Sequence, residues 1–253
     1  MPTDASQAAG RKALVTGAAS GIGRAITQAL VDAGADVLAV DLKPGEDGPG
    51  TPFAADLSTR DGNAAAVQAA VDAFGGLDTI VANAGFQHVA PVAEFDEDRW
   101  DDLLAILLTS PFLLAKHAWE PLAASGDGRI VVVASAHALV ASPFKAGYVS
   151  AKHGVLGLVK TLALEGAEQG ILATAVCPGY VRTPLVERQV ADQAKAHGLP
   201  EERVLDEVIL APQPVKRLIE PDEVAATVAF LAGPGGRAFS GVPVPMDLGW
   251  SAR

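Results

Sequence analysis

The 253-residue chain predicts an α/β fold: a single domain with a doubly wound parallel sheet of about seven strands between two helical layers. Three observations carry this. Short runs that are apolar throughout recur at intervals long enough for a helix, a glycine-rich turn follows the first of them, and no linker, internal repeat or low-complexity tract divides the chain. An alternating strand leaves one face wet, whereas a continuously apolar one is covered on both, which requires a parallel sheet with helices above and below.

In chain order, Met1 to Gly10 is small and polar and reads as a flexible tail. Lys12-Ala13-Leu14-Val15 is the first strand. Thr16-Gly17-Ala18-Ala19-Ser20-Gly21-Ile22-Gly23 is then a tight turn into a helix with apolar residues at helical spacing as far as Val31. Further strands are expected at 37–40, 51–55, 79–82, 130–133, 173–176 and near 242–246. Two long helices span about 97–124 and 146–165. Pro111 should kink the first, and Gly147, Ala151, Gly154 and Gly157 give the second a small-residue face suited to a dimer. The acidic run 94–98 lies where a helix dipole favours carboxylates, so it reads as a solvated cap rather than a metal site. From Pro178 to Pro221 prolines break the pattern into short helical stretches, and 184–213 reads as a lid over the C-terminal edge of the sheet.

Composition narrows the function. A formal charge of -11 with no basic cluster repels a phosphate backbone, so nucleic acid is excluded as a partner. Cys177 is the only cysteine, which rules out an internal disulfide or a multi-cysteine metal site and suits a reducing cytoplasm. The most apolar helical run, 103–108, falls short of the roughly 20 residues of a membrane span.

The glycine turn is where chemistry enters. Glycine permits backbone angles that a side chain forbids and lets a phosphate approach, while the N–H groups at the helix start attract an anion. By itself the stretch also fits a turn with no ligand. Asp41 ends the second strand, where a carboxylate would accept hydrogen bonds from a nucleotide ribose and repel a 2′-phosphate, selecting NAD over NADP. Alone, an aspartate there is an ordinary turn residue. Ser20, immediately before Gly21, supplies no cation for the extra phosphate. Tyr148 and Lys152 are four apart and share a helix face, and Ser135 sits where the 130–133 strand runs out. A tyrosine is a poor base at neutral pH, with an ordinary pKa of about 10, but a neighbouring ammonium and a nicotinamide cation favour its phenolate.

Together these residues resemble the short-chain dehydrogenase/reductase family, whose signatures are a TGxxxGxG turn, an NAG element, and a serine with a YxxxK pair. Here they read as residues 16–23, Asn83-Ala84-Gly85, Ser135, and Tyr148 with Lys152. The resemblance covers nearly the whole chain and implies a Rossmann-type fold, NAD as cofactor and no metal. It implies cofactor contacts from Gly17, Ser20, Gly21, Ile22, Gly23 and Asp41, from Asp56 and Leu57, and from Asn83, Ala84 and Gly85. Tyr148, Lys152, Pro178, Gly179, Val181 and Thr183 complete that set. Ser135, Tyr148 and Lys152 are the implied catalytic residues, and a homotetramer built through the long helices and the last strand is the implied assembly.

Within the family, the segments at 85–88, 135–137, 181–189 and 249–253 are similar to those of members acting on D-3-hydroxybutyrate. Carried over by position, Gln87, His137, Lys145 and Gln189 hold a small carboxylate beside Ser135 and Tyr148. Two positions depart from the pattern: Ala82 precedes Asn83, and Leu107 aligns with the family's helix asparagine. Three readings follow: NAD-dependent oxidation of D-3-hydroxybutyrate, the same chemistry on another hydroxy compound or ketone, or a dinucleotide-binding protein with little turnover.

Overall fold

The structure, a computed structural model, describes residues 8–252. Its seven strands are β1 (Lys12–Thr16), β2 (Asp36–Asp41), β3 (Thr51–Ala54), β4 (Thr79–Ala82), β5 (Gly128–Val133), β6 (Ile171–Pro178) and β7 (Pro243–Met246). They form one sheet in the order β3-β2-β1-β4-β5-β6-β7, every neighbouring pair parallel. Successive residues of a strand face opposite sides, and both sides are dry, which is why the runs are apolar throughout. Leu14, Leu38, Ile80, Ile130 and Ala173 enter one core, and Val15, Val37, Val81, Val131 and Val176 the other.

The helices are α1 (Gly21–Asp32), α2 (Arg60–Phe74), α3 (Glu97–Leu104), α4 (Ser110–Ala124), α5 (Ala146–Gly166), α6 (Pro184–His197), α7 (Glu201–Val204) and α8 (Pro221–Ala232). α1 and α8 cover one face; α2, α4 and α5 cover the other. Strand order reverses between β1 and β4, so the crevice above their C-terminal ends is where an open α/β sheet takes its ligand. No helix among the described residues is long and apolar enough to cross a membrane.

Three expectations need correction. The tail is not loose to Gly10: Ala8 is buried, Gly10 N donates to Gly34 O at 2.9 Å and Arg11 N to Ala8 O at 3.1 Å. Residues 1–7 lie outside the described residues. The long helix does not merely kink at Pro111. A π turn, Ala105–Thr109, separates α3 from α4, with Ser110 N–H reaching back five residues to Ala105 O. Pro111 has no N–H, so it gives none to the carbonyl of Leu107 four back or Ile106 five back. The glycine face of α5 is turned inward. A Cβ on Gly147 would stand 2.8 Å from Leu103 Cδ1, one on Gly154 would stand 3.0 Å from Leu108 Cδ2, and Ala151 is fully buried. The small residues let α3 and the π turn lie against α5, and only Gly157 has open space. The acidic cap holds as expected: Asp96 accepts from Arg99 N at 3.0 Å at the start of α3.

Candidate active site

The turn from β1 into α1 is closed by its own packing. Gly17 has φ +67°, in the left-handed region that favours glycine. A Cβ on Gly23 would sit 2.0 Å from Gly17 O, so this glycine is needed for the turn to fold back on the helix rather than to face a ligand. Ser20 caps α1 without a side-chain hydrogen bond, and the helix's first N–H groups face the crevice. Thr16 Oγ1 ties the cradle to β4 by accepting from Asn83 N (2.9 Å) and Ala84 N (3.0 Å), while Asn83 Nδ2 donates to Thr16 O at 2.9 Å. Asp41 stands across the turn, its carboxylate accepting from Ala19 N at 3.1 Å and Lys43 N at 3.3 Å. Asp56 accepts from Ser58 N and Oγ at the entry to α2.

These residues open onto one cavity of about 400 Å³ that runs along the C-terminal strand ends. Every site residue expected from sequence lines it except Gly23, which lies beneath the turn.

At its far end Ser135, Tyr148 and Lys152 converge from β5 and α5. Lys152 is 5% exposed, donates to Val133 O at 2.8 Å, and places Nζ 5.6 Å from the centre of the Tyr148 ring. Burial pulls its ammonium down to about 8. Burial pushes the Tyr148 phenol above its ordinary value, and a hydrogen bond from Ser135 opposes that shift. Leu107 packs with Leu103 and Ala151 beside Tyr148, and its Cδ2 fills the space a Cβ on Gly85 would need. It brings no polar side-chain group to the pocket.

His137, Lys145, Gln87 and Gln189 complete this end. The His137 ring lies between Ser135 Oγ (3.4 Å from Nδ1) and Ser142 Oγ (3.1 Å from Nε2), with its edge or face on Tyr148 and Trp250. Burial first, then the charges of Lys145 and His153, keep it neutral, well below the ordinary histidine value. Lys145 is 2% exposed and burial lowers it to about 8. Among the described residues its ammonium donates to Tyr180 Oη alone, at 2.8 Å, and no carboxylate pairs with it. Gln189 gives one N–H to Leu185 O and keeps the other, while Gln87 Oε1 is buried without a donor.

Tyr180 and Trp250 belong to this end as well, although neither was singled out from sequence. Two non-glycine residues with positive φ feed it: Phe144 (φ +66°) directly precedes Lys145, and Leu248 (φ +55°) stands two before Trp250. A left-handed residue with a side chain costs about 1–2 kcal/mol, and strain of this kind concentrates where side chains must be aimed.

Comparison with known proteins bears on this geometry. Residues 17–251 match the family profile described as enoyl-(acyl carrier protein) reductase. The chain is 43% identical to a D-beta-hydroxybutyrate dehydrogenase of Rhizobium meliloti, over 96% of this chain and 99% of that one. It is 40% identical to a D-beta-hydroxybutyrate dehydrogenase of Cupriavidus necator, again over 96% and 99%. A ligand-free aldohexose dehydrogenase structure from Thermoplasma acidophilum superposes with a TM-score of 0.90 at 28% identity, covering 98% of this chain and 96% of that one. The chain belongs to the short-chain dehydrogenase/reductase family and is an oxidoreductase of it; dehydrogenases of this family use a nicotinamide dinucleotide.

Proposed function

We propose, from its membership of the short-chain dehydrogenase/reductase family, that this enzyme reversibly oxidises D-3-hydroxybutyrate to acetoacetate with NAD. The observation that carries the substrate is Lys145: a buried ammonium with one neutral partner among the described residues, lining the cavity that also holds Tyr148. A charge left so poorly compensated is costly unless an anion completes it, and in a protein of net charge -11 a small carboxylate is the fitting one.

The cradle at residues 16–23, Asp41, Asn83 and Lys152 suits a dinucleotide, which supplies the hydride acceptor when bound. This chain's residues do the rest. Ser135 and Tyr148 hold the substrate hydroxyl, Tyr148 Oη takes its proton, Lys152 holds the positive charge that favours the phenolate, and Lys145 with His137, Gln87 and Gln189 orients the carboxylate. The segment 184–213 acts as a lid that excludes water. The direct test is NADH formation from D-3-hydroxybutyrate, with Tyr148→Phe as control; a wild-type rate no higher than that control overturns the reading. Leu107 motivates the competing reading of binding without turnover, whose signature in the same experiment is tight NADH binding with no product from a panel of hydroxy acids.

NAD rather than NADP follows from Asp41, whose carboxylate reaches Ala19 N and Lys43 N at the ribose end of the cavity. A 2′-phosphate placed against it meets like charge. Asp41→Ala is expected to reduce the kcat/KM preference for NAD over NADP by about 30-fold or more, as befits removing a unit charge a few ångströms away. An unchanged ratio in steady-state assays removes Asp41 from the role.

We read the assembly as a homotetramer in the cytoplasm, where the lone buried Cys177 stays a thiol. Phe112 on α4 and Leu164 on α5 stay 44% and 80% exposed, and Phe230 on α8 and Val242 before β7 are also exposed, leaving apolar side chains for an assembly to cover. Light scattering should give the mass of four 25.8 kDa chains; a monomer overturns this.

A further inference from the structure

We propose that Tyr180 is a further substrate-binding residue, its hydroxyl donating to the same carboxylate that Lys145 attracts. The inference rests on the reading that a small carboxylate occupies this end of the cavity.

Tyr180 follows β6 and is held on every side. Its carbonyl accepts from Ile219 N at 2.9 Å, its ring stacks on Trp250 at 5.6 Å and 9°, and it meets His137 edge to face at 6.4 Å. Trp250 is itself fixed by the turn in which Trp250 N donates to Asp247 O and Ser251 N to Asp247 Oδ2. The ring is therefore a rigid wall of the pocket and not a mobile surface tyrosine.

The donor inventory decides what the hydroxyl does. Lys145 Nζ donates to Tyr180 Oη at 2.8 Å and lies 4.9 Å from the ring centre. A phenol oxygen that accepts from an ammonium points its own proton elsewhere, and no acceptor for that proton is found among the described residues. Burial keeps the phenol protonated far above neutral pH, so the proton is always there to be donated. Lys145 in turn uses one of three N–H groups on Tyr180. Both residues line the cavity, so a phenol O–H and an ammonium N–H face the same space with no acceptor for them among the described residues. A carboxylate offers each donor its own oxygen and carries the counter-charge that the ammonium lacks, whereas a neutral alcohol or amide oxygen leaves that ammonium uncompensated.

The test is Tyr180→Phe, which keeps the ring and its stack on Trp250 and removes only the hydroxyl. Acetoacetate is titrated by calorimetry into wild-type and variant enzyme saturated with NAD, a dead-end complex that needs no turnover. The ratio of kcat/KM for D-3-hydroxybutyrate to that for 1,3-butanediol, its neutral counterpart, is measured alongside. The expected result is acetoacetate binding weakened roughly tenfold and the acid-to-diol ratio lowered by a similar factor, the size of a lost hydrogen bond to a charged group. Acetoacetate affinity within about twofold of wild type, or equal losses for acid and diol, overturns the role of Tyr180 while leaving the carboxylate reading standing. Wild-type enzyme that binds no acetoacetate overturns both.

Discussion

Tyr148→Phe is expected to lower kcat for D-3-hydroxybutyrate oxidation by about a thousandfold, within the range of general acid–base groups, while NADH affinity changes by less than about threefold. The phenylalanine ring keeps the contacts with His137 and the Leu107 cluster, so only the proton acceptor is lost. The size of the loss depends on how readily the phenol ionises in place. In the protein alone burial outweighs the Ser135 hydrogen bond, and the phenol sits above its ordinary value. Positive charge has to reverse this, and Lys152 offers it, its Nζ 5.6 Å from the ring centre. Since burial has drawn Lys152 down to about 8, that help fades as pH rises through 8. Single-turnover NADH formation measures the step directly. A variant retaining more than about a tenth of the wild-type rate would show that the proton leaves by another group.

Leu107 bears on the same step. Its side chain is apolar and seals Gly85, so a side-chain amide takes no part in moving the proton onward. Under the proposed mechanism, a substitute would have to come from the main chain of the π turn. Ile106 and Leu107 line the cavity, and Pro111 withholds the N–H that would otherwise reach the carbonyl of one or the other. A carbonyl so freed can hold a water where an asparagine would have stood.

The sequence exposed the scaffold of this site more fully than its walls, for a physical reason. Strands β1, β4 and β5 are buried on both faces, so each shows as an unbroken apolar run, and the glycine turn shows because a Cβ at Gly23 would collide with Gly17 O. Tyr148 and Lys152 are legible because helix geometry alone puts residues four apart on one face. The inward turn of Gly147 and Gly154 was not legible, because small residues mark a close approach without saying whose backbone approaches. Nor were Tyr180 and Trp250. They meet across 70 residues of chain, aimed by backbone angles at Leu248 that leave no periodic trace. Ala8 to Gly10 read as tail because their order comes from hydrogen bonding to the end of α1 and not from their own composition.

Lys145→Met should separate binding from stability, because the two effects have opposite signs. For binding, the substitution removes the ammonium assigned to the carboxylate. KM for D-3-hydroxybutyrate is expected to rise about a hundredfold, as when one member of a buried charge pair is truncated, while the diol loses far less. For stability, Lys145 ionises at about 8 in the folded protein and near 10.5 unfolded. Folding therefore disfavours its proton: the penalty, about 3 kcal/mol, is fully present below pH 8 and disappears as pH climbs toward 10.5. Methionine carries no such penalty, so the variant should melt above the wild type at pH 7, with the gap closing as pH rises from 8 to 10.5. Competitive inhibition by acetate reads the same ionisation from the ligand's side. The wild-type inhibition constant should be flat below pH 8 and weaken about tenfold per unit above it, because an anion binds only the ammonium form. His137 is already neutral and Tyr180 stays protonated through this window, but Lys152 in the same cavity is also drawn to about 8, so the slope is assigned to Lys145 by its loss in Lys145→Met. A variant that melts below the wild type at pH 7, or an acetate constant indifferent to pH between 7 and 10, would show that Lys145 is a structural lysine satisfied by Tyr180 and not the anion's counterion.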